Sequence, residues 1–291
     1  MSVLTADKPQ SGALETPSGK GRGDENFPVG SFLIRKDLRP HVHAFYRFAR
    51  IADDIADNPA LSADDKVKRL DRMGEILDGA RVDSQGDDSP AASAMRTSLA
   101  ATGTTAQHCH DVLRAFRLDA TKLRYKDWDD LMEYCRYSAS PVGRQLLDLH
   151  GESRDTWPAS DALCSALQVL NHLQDCAEDY RNLDRVYLPL ELMGAHGIAV
   201  EDLTLPAAKP GLRRVIDSLL DSTDRLVVKA AELPGGVMAR GLRWESATIV
   251  ALARRLSYRL RRGDPLARRV ALSKGDFAAA LLTSVVRGRR R

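Results

Sequence analysis

The sequence predicts an all-α chain, and three observations point there. From Glu25 almost to the end, apolar residues recur at helical spacing, with no convincing strand alternation and no internal repeat. Leu, Ala, Arg and Asp dominate while aromatic residues make up only 5%, a composition that tilts towards helix. Breakers separate the periodic stretches: Asn58-Pro59, Gly86 to Pro90, Gly151 to Pro158, Pro206 to Gly211, Pro234-Gly235-Gly236 and Gly263-Asp264-Pro265. The periodicity predicts helices over Leu38–Asp57, Ala63–Gly79, Ser89–Thr102, Ala106–Thr121, Trp128–His150, Ser160–Tyr180, Gly211–Leu233, Gly241–Arg262 and Lys274–Arg287. At 291 residues, 43% hydrophobic and 29% charged, these helices suit one globular bundle packed around a central space. Residues 1–25, rich in Gly, Ser, Pro, Thr and Lys, are expected to be a disordered leader; 26–287 form the domain and 288–291 a basic tail.

On the first helix, Tyr46, Arg50, Asp53 and Asp57 follow steps of four, three and four and make one polar stripe. Val42, Phe45, Phe48, Ala49 and Ala52 occupy another. Two readings compete here. The stripe is a polar pocket wall, or it is an exposed face on which Arg50 bonds Asp54 one turn on. The sixth helix favours the first reading, because it repeats the pattern: Gln168, Asn171, Asp175 and Asp179 form a polar stripe, with Leu163, Leu167, Leu170 and Leu173 largely elsewhere. Like charges four residues apart weaken a helix by roughly 0.2–0.5 kcal/mol per pair. A chain that places them twice on largely apolar helices is built to hold a cation. Two opposed carboxylate faces, with the Asn171 amide as a further oxygen, suit Mg²⁺ bridging to a diphosphate.

These segments resemble the squalene/phytoene synthase family. Phe45-Tyr46-Arg47-Phe48-Ala49-Arg50-Ile51-Ala52-Asp53-Asp54-Ile55-Ala56-Asp57 is similar to its first aspartate-rich motif. Leu170 to Arg181, followed by Arg185-Val186-Tyr187-Leu188-Pro189, is similar to its second, and Tyr134 to Gly143 to its middle helix. Asn26 to Ser31, the run Tyr134 to Arg144 and Leu173-Gln174-Asp175 resemble in particular the bacterial hopanoid-pathway branch, the hydroxysqualene synthases. Gln174 stands where many members carry arginine; Arg136 or Arg144 would then have to replace that diphosphate contact. The approach Leu183-Asp184-Arg185 also departs from the frequent Gly-Arg pattern.

The resemblance implies an all-α prenyl-synthase fold and an isoprenoid diphosphate substrate. Asp53, Asp57, Asn171, Asp175 and Asp179 inherit the Mg²⁺ and diphosphate role, and Tyr46 and Arg50 a place beside the departing diphosphate. Ser138, Ala139, Val142 and Gly143 are expected as small tunnel walls beside a polyprenyl tail; Arg136, Gln174, Arg185 and Tyr187 complete the expected substrate site. Tyr134, Tyr137 and Tyr258 offer ring faces to a carbocation, with core packing as the competing reading. The implied reaction ionises presqualene diphosphate and quenches the rearranged cation with water, giving hydroxysqualene. Condensation of two farnesyl diphosphates, or of geranylgeranyl diphosphates to phytoene, is the alternative. A non-catalytic assembly subunit is a further one, against which the two intact acid pairs argue.

Other chemistries fit poorly. Gly19-Lys20-Gly21-Arg22-Gly23 has no strand before it and is not a dinucleotide site, although that leaves reduction by NADPH open. None of the seven histidines follows a glutamate by three residues, so a di-iron carboxylate bundle is excluded. His108 and His110 point away from each other on a helix. The arginines from Arg254 to Arg262 spread around the wheel, mostly as a solvated face, with Arg255 and Tyr258 the candidates to turn inward. Four cysteines without a Cys-x-x-Cys pair are read as reduced core residues. A net charge of +3 gives no reason to expect nucleic acid. With no apolar leader and no long apolar run, the chain is expected in the cytoplasm, at most peripheral on the inner membrane face. The basic tail after the apolar Phe277–Val286 stretch suits an anionic membrane, or serves only as a solubilising end.

Overall fold

The computed structural model describes residues 14–15, 34–80 and 89–288, without the side chains of 283–288. Twelve α-helices fill the described residues: α1 Arg39–Asp57, α2 Ala63–Asp78, α3 Pro90–Thr102, α4 Gln107–Thr121, α5 Trp128–Ser138, α6 Ser140–Leu149, α7 Trp157–Leu183, α8 Leu190–Ala195, α9 Pro210–Ala230, α10 Leu233–Gly236, α11 Arg240–Arg262 and α12 Lys274–Gly288. Among them there is no strand, only an isolated parallel bridge between Arg124 and Val186. The all-α expectation holds. No helix in the described residues is long and apolar enough to cross a membrane.

The departures from the expected helices have local causes. The expected Trp128–His150 helix is two, broken at Ala139, because Pro141 has no N–H to carry the hydrogen-bond ladder across and sits instead in the first turn of the second helix. α7 begins earlier than expected, at Trp157. Pro158 does not break it, since a proline in the first turn lacks only an N–H that has no intrahelical partner. It ends at Asp184, whose φ of 51° puts a non-glycine residue in the left-handed region, fixed there by Arg124, which bonds the Asp184 carboxylate at 2.5 Å. Pro234-Gly235-Gly236 makes a single helical turn rather than a plain break.

The core is divided. One hydrophobic cluster joins α1 to α4 through Phe48, Ile55, Leu70, Met73, Met95 and Leu113, and Leu14 from the leader packs into it. A larger one, with Leu131, Leu170, Leu173, Leu220 and Leu256, fills the space among α5, α7, α9 and α11. The first aspartate helix therefore belongs to one cluster and the second to the other. α4 contributes to both, with Leu113 in the first and Ala115 in the second, and a polar network also links them. The leader is described only at Leu14 and Glu15; Asn26–Ser31 and 289–291 lie outside the described residues.

Candidate active site

α1 buries Phe45, Phe48, Ile51, Ala52 and Ile55 on its apolar face, which fixes where its polar stripe points. Arg50 reaches Asp53 at 3.1 Å and Asp54 at 2.8 Å. The Arg50–Asp54 bond of the exposed-face reading exists, but Asp54 is buried, so the face looks inward. Asp53 keeps 31% of its side-chain surface, yet its carboxyl sits deep among protein atoms. Burial first, then the charge of Asp57, push it up to about 8, against the pull of Arg50. Tyr46 lies half-buried two turns before Asp53.

From the second cluster, α7 presents Asn171, Asp175 and Asp179. Burial raises the Asp175 carboxyl, opposed by Arg269 and reinforced by Asp179. Arg269 Nε stands 3.2 Å from Asp175 Oδ1, a buried oxygen that accepts no hydrogen bond. His172 Nδ1 lies 3.9 Å from Asp179, and its ring stacks on Tyr187 with centroids 3.5 Å apart.

Asp119, in the last turn of α4, joins the two halves. It is buried and accepts hydrogen bonds from Tyr134 and Tyr187, both at 2.8 Å. Burial raises its carboxyl, while Arg185 and the two tyrosines hold it down. Arg185 Nε donates to the Asp119 carbonyl at 3.0 Å, Nη2 to the Ala56 carbonyl at 3.0 Å, and Nη1 to the Asp57 carboxylate at 2.5 Å. Burial works against the Arg185 charge, but Asp119, Tyr187 and Asp57 outweigh it and keep it cationic. Hydrogen bonds thus run Asp57–Arg185–Asp119–Tyr187, and ring stacking carries the chain of contacts on to His172 beside Asp179.

That network gathers Tyr134, Arg185 and Tyr187 between the aspartate helices. Other expected residues lie elsewhere or have other partners. Gln174 is buried and donates to the Val270 carbonyl at 2.5 Å, tying α7 to the segment before α12. Arg144 bonds Asp161 at 2.9 and 2.5 Å, and Arg136 is exposed beside the Tyr137 ring. It is Arg269, not Arg136 or Arg144, that stands at Asp175. Ser138 Oγ is buried without a hydrogen bond, Ala139 sits at the helix break, and Val142 is 48% exposed. A Cβ on Gly143 would lie 2.3 Å from Ser160 Oγ and 2.8 Å from Cys164 Sγ, so the missing side chain is needed by the α6–α7 crossing. Tyr258, expected to turn inward, is 58% exposed under the Arg262 guanidinium.

Asp119, His172 and Arg269 were not singled out from sequence. Asp119 did leave a signal: an acid in the last turn of a helix opposes the helix dipole and needs a partner.

The donor set fits a hard cation. Asp53 and Asp57 are adjacent carboxylates whose mutual repulsion a divalent ion would relieve, and Asp175 holds a buried oxygen without a hydrogen bond. Among the described residues no three His, Cys, Asp or Glu groups converge as a ready-made metal cage. Mg²⁺ commonly takes one or two carboxylates and completes its shell with water and substrate phosphate.

The squalene/phytoene synthase family model matches residues 20–276. Hydroxysqualene synthases of Rhodopseudomonas palustris and Zymomonas mobilis are 46% and 45% identical, over 92% and 95% of this chain and 90% and 91% of theirs. A squalene synthase structure from Alicyclobacillus acidocaldarius superposes with a TM-score of 0.67 at 34% identity, covering 81% of this chain and 91% of that one. A dehydrosqualene synthase, at 23% identity and a TM-score of 0.74, shares the fold over 92% of this chain and 93% of its own. The chain belongs to the squalene/phytoene synthase family and is an isoprenoid synthase.

Proposed function

We propose that the protein converts presqualene diphosphate to hydroxysqualene and diphosphate with Mg²⁺, in the cytoplasm. The observation that carries this choice over the condensing reactions is the pattern of identity. Hydroxysqualene synthases match at 43–46%, phytoene synthases at 27–30%.

Asp53, Asp57, Asn171, Asp175 and Asp179 are the residues that would hold the metal and, through it, the diphosphate. Bound there, Mg²⁺ would act as a Lewis acid, neutralising charge on the leaving group. Arg50 is held beside Asp53 by its own ion pairs, so its fork is preoriented next to the departing phosphate oxygens. The substrate C–O bond breaks with its electron pair leaving on diphosphate. The cyclopropylcarbinyl cation rearranges, and water adds its oxygen and loses a proton to give the alcohol. Tyr134 and Tyr187 are raised well above the usual phenol range, by burial first and then by Asp119, so their hydroxyls stay protonated. Both rings pack on each other and on Tyr125 and His172, so their part is to hold Asp119 and Arg185 between the aspartate helices as neutral hydrogen-bond donors. Contact with an anionic membrane through the basic C-terminal tail is part of the same reading, supported by its charge and by the lipophilic product.

Product analysis by mass spectrometry, with Mg²⁺ and no nucleotide, tests the reading with presqualene diphosphate and farnesyl diphosphate in separate tubes. Hydroxysqualene from the first, with the second inert, is expected. Consumption of farnesyl diphosphate would assign the condensing reaction instead. Asp53→Ala and Asp175→Ala should each abolish turnover with the helical circular dichroism unchanged, and an active double variant would sink the metal site.

A further inference from the structure

The outer face of α11 carries chemistry that the aspartate site does not use. A groove of about 1540 Å³ runs between α10, α11 and the segment leading into α12, and seven arginines line it against two carboxylates, Glu232 and Asp276. That local excess is greater than the formal net charge of the entire chain, +3.

Some of these arginines have structural partners. Asp276 holds Arg255 at 3.2 Å and Arg259 at 2.7 Å, Arg269 pairs with Asp175, and Arg243 donates to the Val237 and Met238 carbonyls. Arg254, Arg262 and Arg268 are exposed, and among the described residues no carboxylate lies within ion-pair distance of them. Arg262 covers the exposed Tyr258 ring at 4.0 Å, and Trp244 lines the same groove. Next to Asp276, α12 exposes Phe277 (37%), Leu281 (39%) and Leu282 (68%), and the turn between α10 and α11 exposes Met238 (79%).

Like charges gathered along one face repel one another and gain from an anionic partner. A soluble phosphate compound would answer the charges but leave Phe277, Leu281, Leu282 and Met238 in water. A bilayer surface answers both, with lipid phosphates meeting the arginines and the acyl boundary taking the apolar side chains. Trp and Tyr are the aromatic residues that favour this interface. We propose that the arginine groove and the adjoining face of α12 form the docking surface for an anionic phospholipid bilayer. The proposal rests on the membrane-contact reading above and moves the main contact from the tail to the folded domain.

Co-sedimentation with vesicles of phosphatidylcholine, alone or mixed with phosphatidylglycerol, tests it on three proteins. These are the full chain, a chain ending at Val286, and the full-length triple variant Arg254→Gln/Arg262→Gln/Arg268→Gln. The full chain and the shortened chain should bind the anionic vesicles, losing them as salt is raised. The triple variant should partition roughly a hundredfold less, since each arginine near an anionic surface contributes a gain of about fivefold. Its unfolding temperature, and any turnover of detergent-solubilised presqualene diphosphate, should match the full chain, which excludes misfolding. Binding retained by the triple variant but lost on shortening would overturn the groove and assign the contact to the tail. Equal binding to neutral and anionic vesicles, or a full chain that binds inorganic pyrophosphate and no vesicles, would also overturn it. Absence of turnover in every protein would count against the proposed reaction while leaving the vesicle result readable.

Discussion

Asp119 accepts from two tyrosine hydroxyls while its backbone carbonyl accepts from Arg185, so one residue holds three side chains between the aspartate helices. Asp119→Ala leaves two buried hydroxyls without a partner, and each such group costs about 1–3 kcal/mol. Urea denaturation should therefore show a loss of several kcal/mol for Asp119→Ala and a smaller one for Asp119→Asn, whose amide oxygen can still accept. A larger loss for Asn than for Ala would contradict the network. The spacing of Tyr46, Arg50, Asp53 and Asp57 was readable because all four lie on one helix, where sequence distance sets spatial distance. Asp119 was not, since its tyrosines stand 15 and 68 residues away. Arg269 meets Asp175 across 94 residues, and no periodicity carries information over that range.

At the scale of elements, the α6–α7 crossing depends on Gly143. In Gly143→Ala the new Cβ meets Ser160 Oγ at 2.3 Å, and overpacking of this kind costs about 1–3 kcal/mol. The added substitution Ser160→Ala removes that oxygen but leaves Cys164 Sγ at 2.8 Å, so a double-mutant cycle by thermal unfolding should recover part of the loss and not all of it. The docking of α12 depends on Asp276. Burial works to raise its carboxyl, but the Ser273 backbone and hydroxyl and Arg259 outweigh it and hold it down at about 2. A carboxyl depressed in the folded state stabilises above its unfolded value of about 3.9. That contribution should be lost as the pH falls from about 4 towards 2. Hydrogen exchange should show α12 loosening over that interval, and Asp276→Asn should show it already at neutral pH. The sequence predicted α12 from its apolar periodicity, but the ion pairs that seat it come from two turns of α11 and required the packed structure.

For the whole molecule, two hydrophobic clusters meet at a polar seam, and the seam is where the acid pairs stand. A cation bound there should act as a clamp between the halves. Mg²⁺ with inorganic pyrophosphate should raise the unfolding temperature of the wild type by about 5 °C at saturating ligand. Asp53→Asn should lose that rise, and without metal it should be at least as stable as the wild type, because desolvation and the charge of Asp57 together outweigh the Arg50 ion pair and disfavour the ionised carboxyl. An equal ligand-induced rise in Asp53→Asn would remove Asp53 from the metal site. By itself the sequence determined the all-α class, most helix positions and both aspartate stripes, because helical periodicity and i,i+4 placement are local properties of the chain. Only the tertiary structure decided that Asp119 and Arg185 bridge the two halves, that Gly143 serves a helix crossing and that Tyr258 faces outward beside an arginine groove. Those outcomes depend on which helices pack together, and packing is set by shape and burial summed over the entire fold.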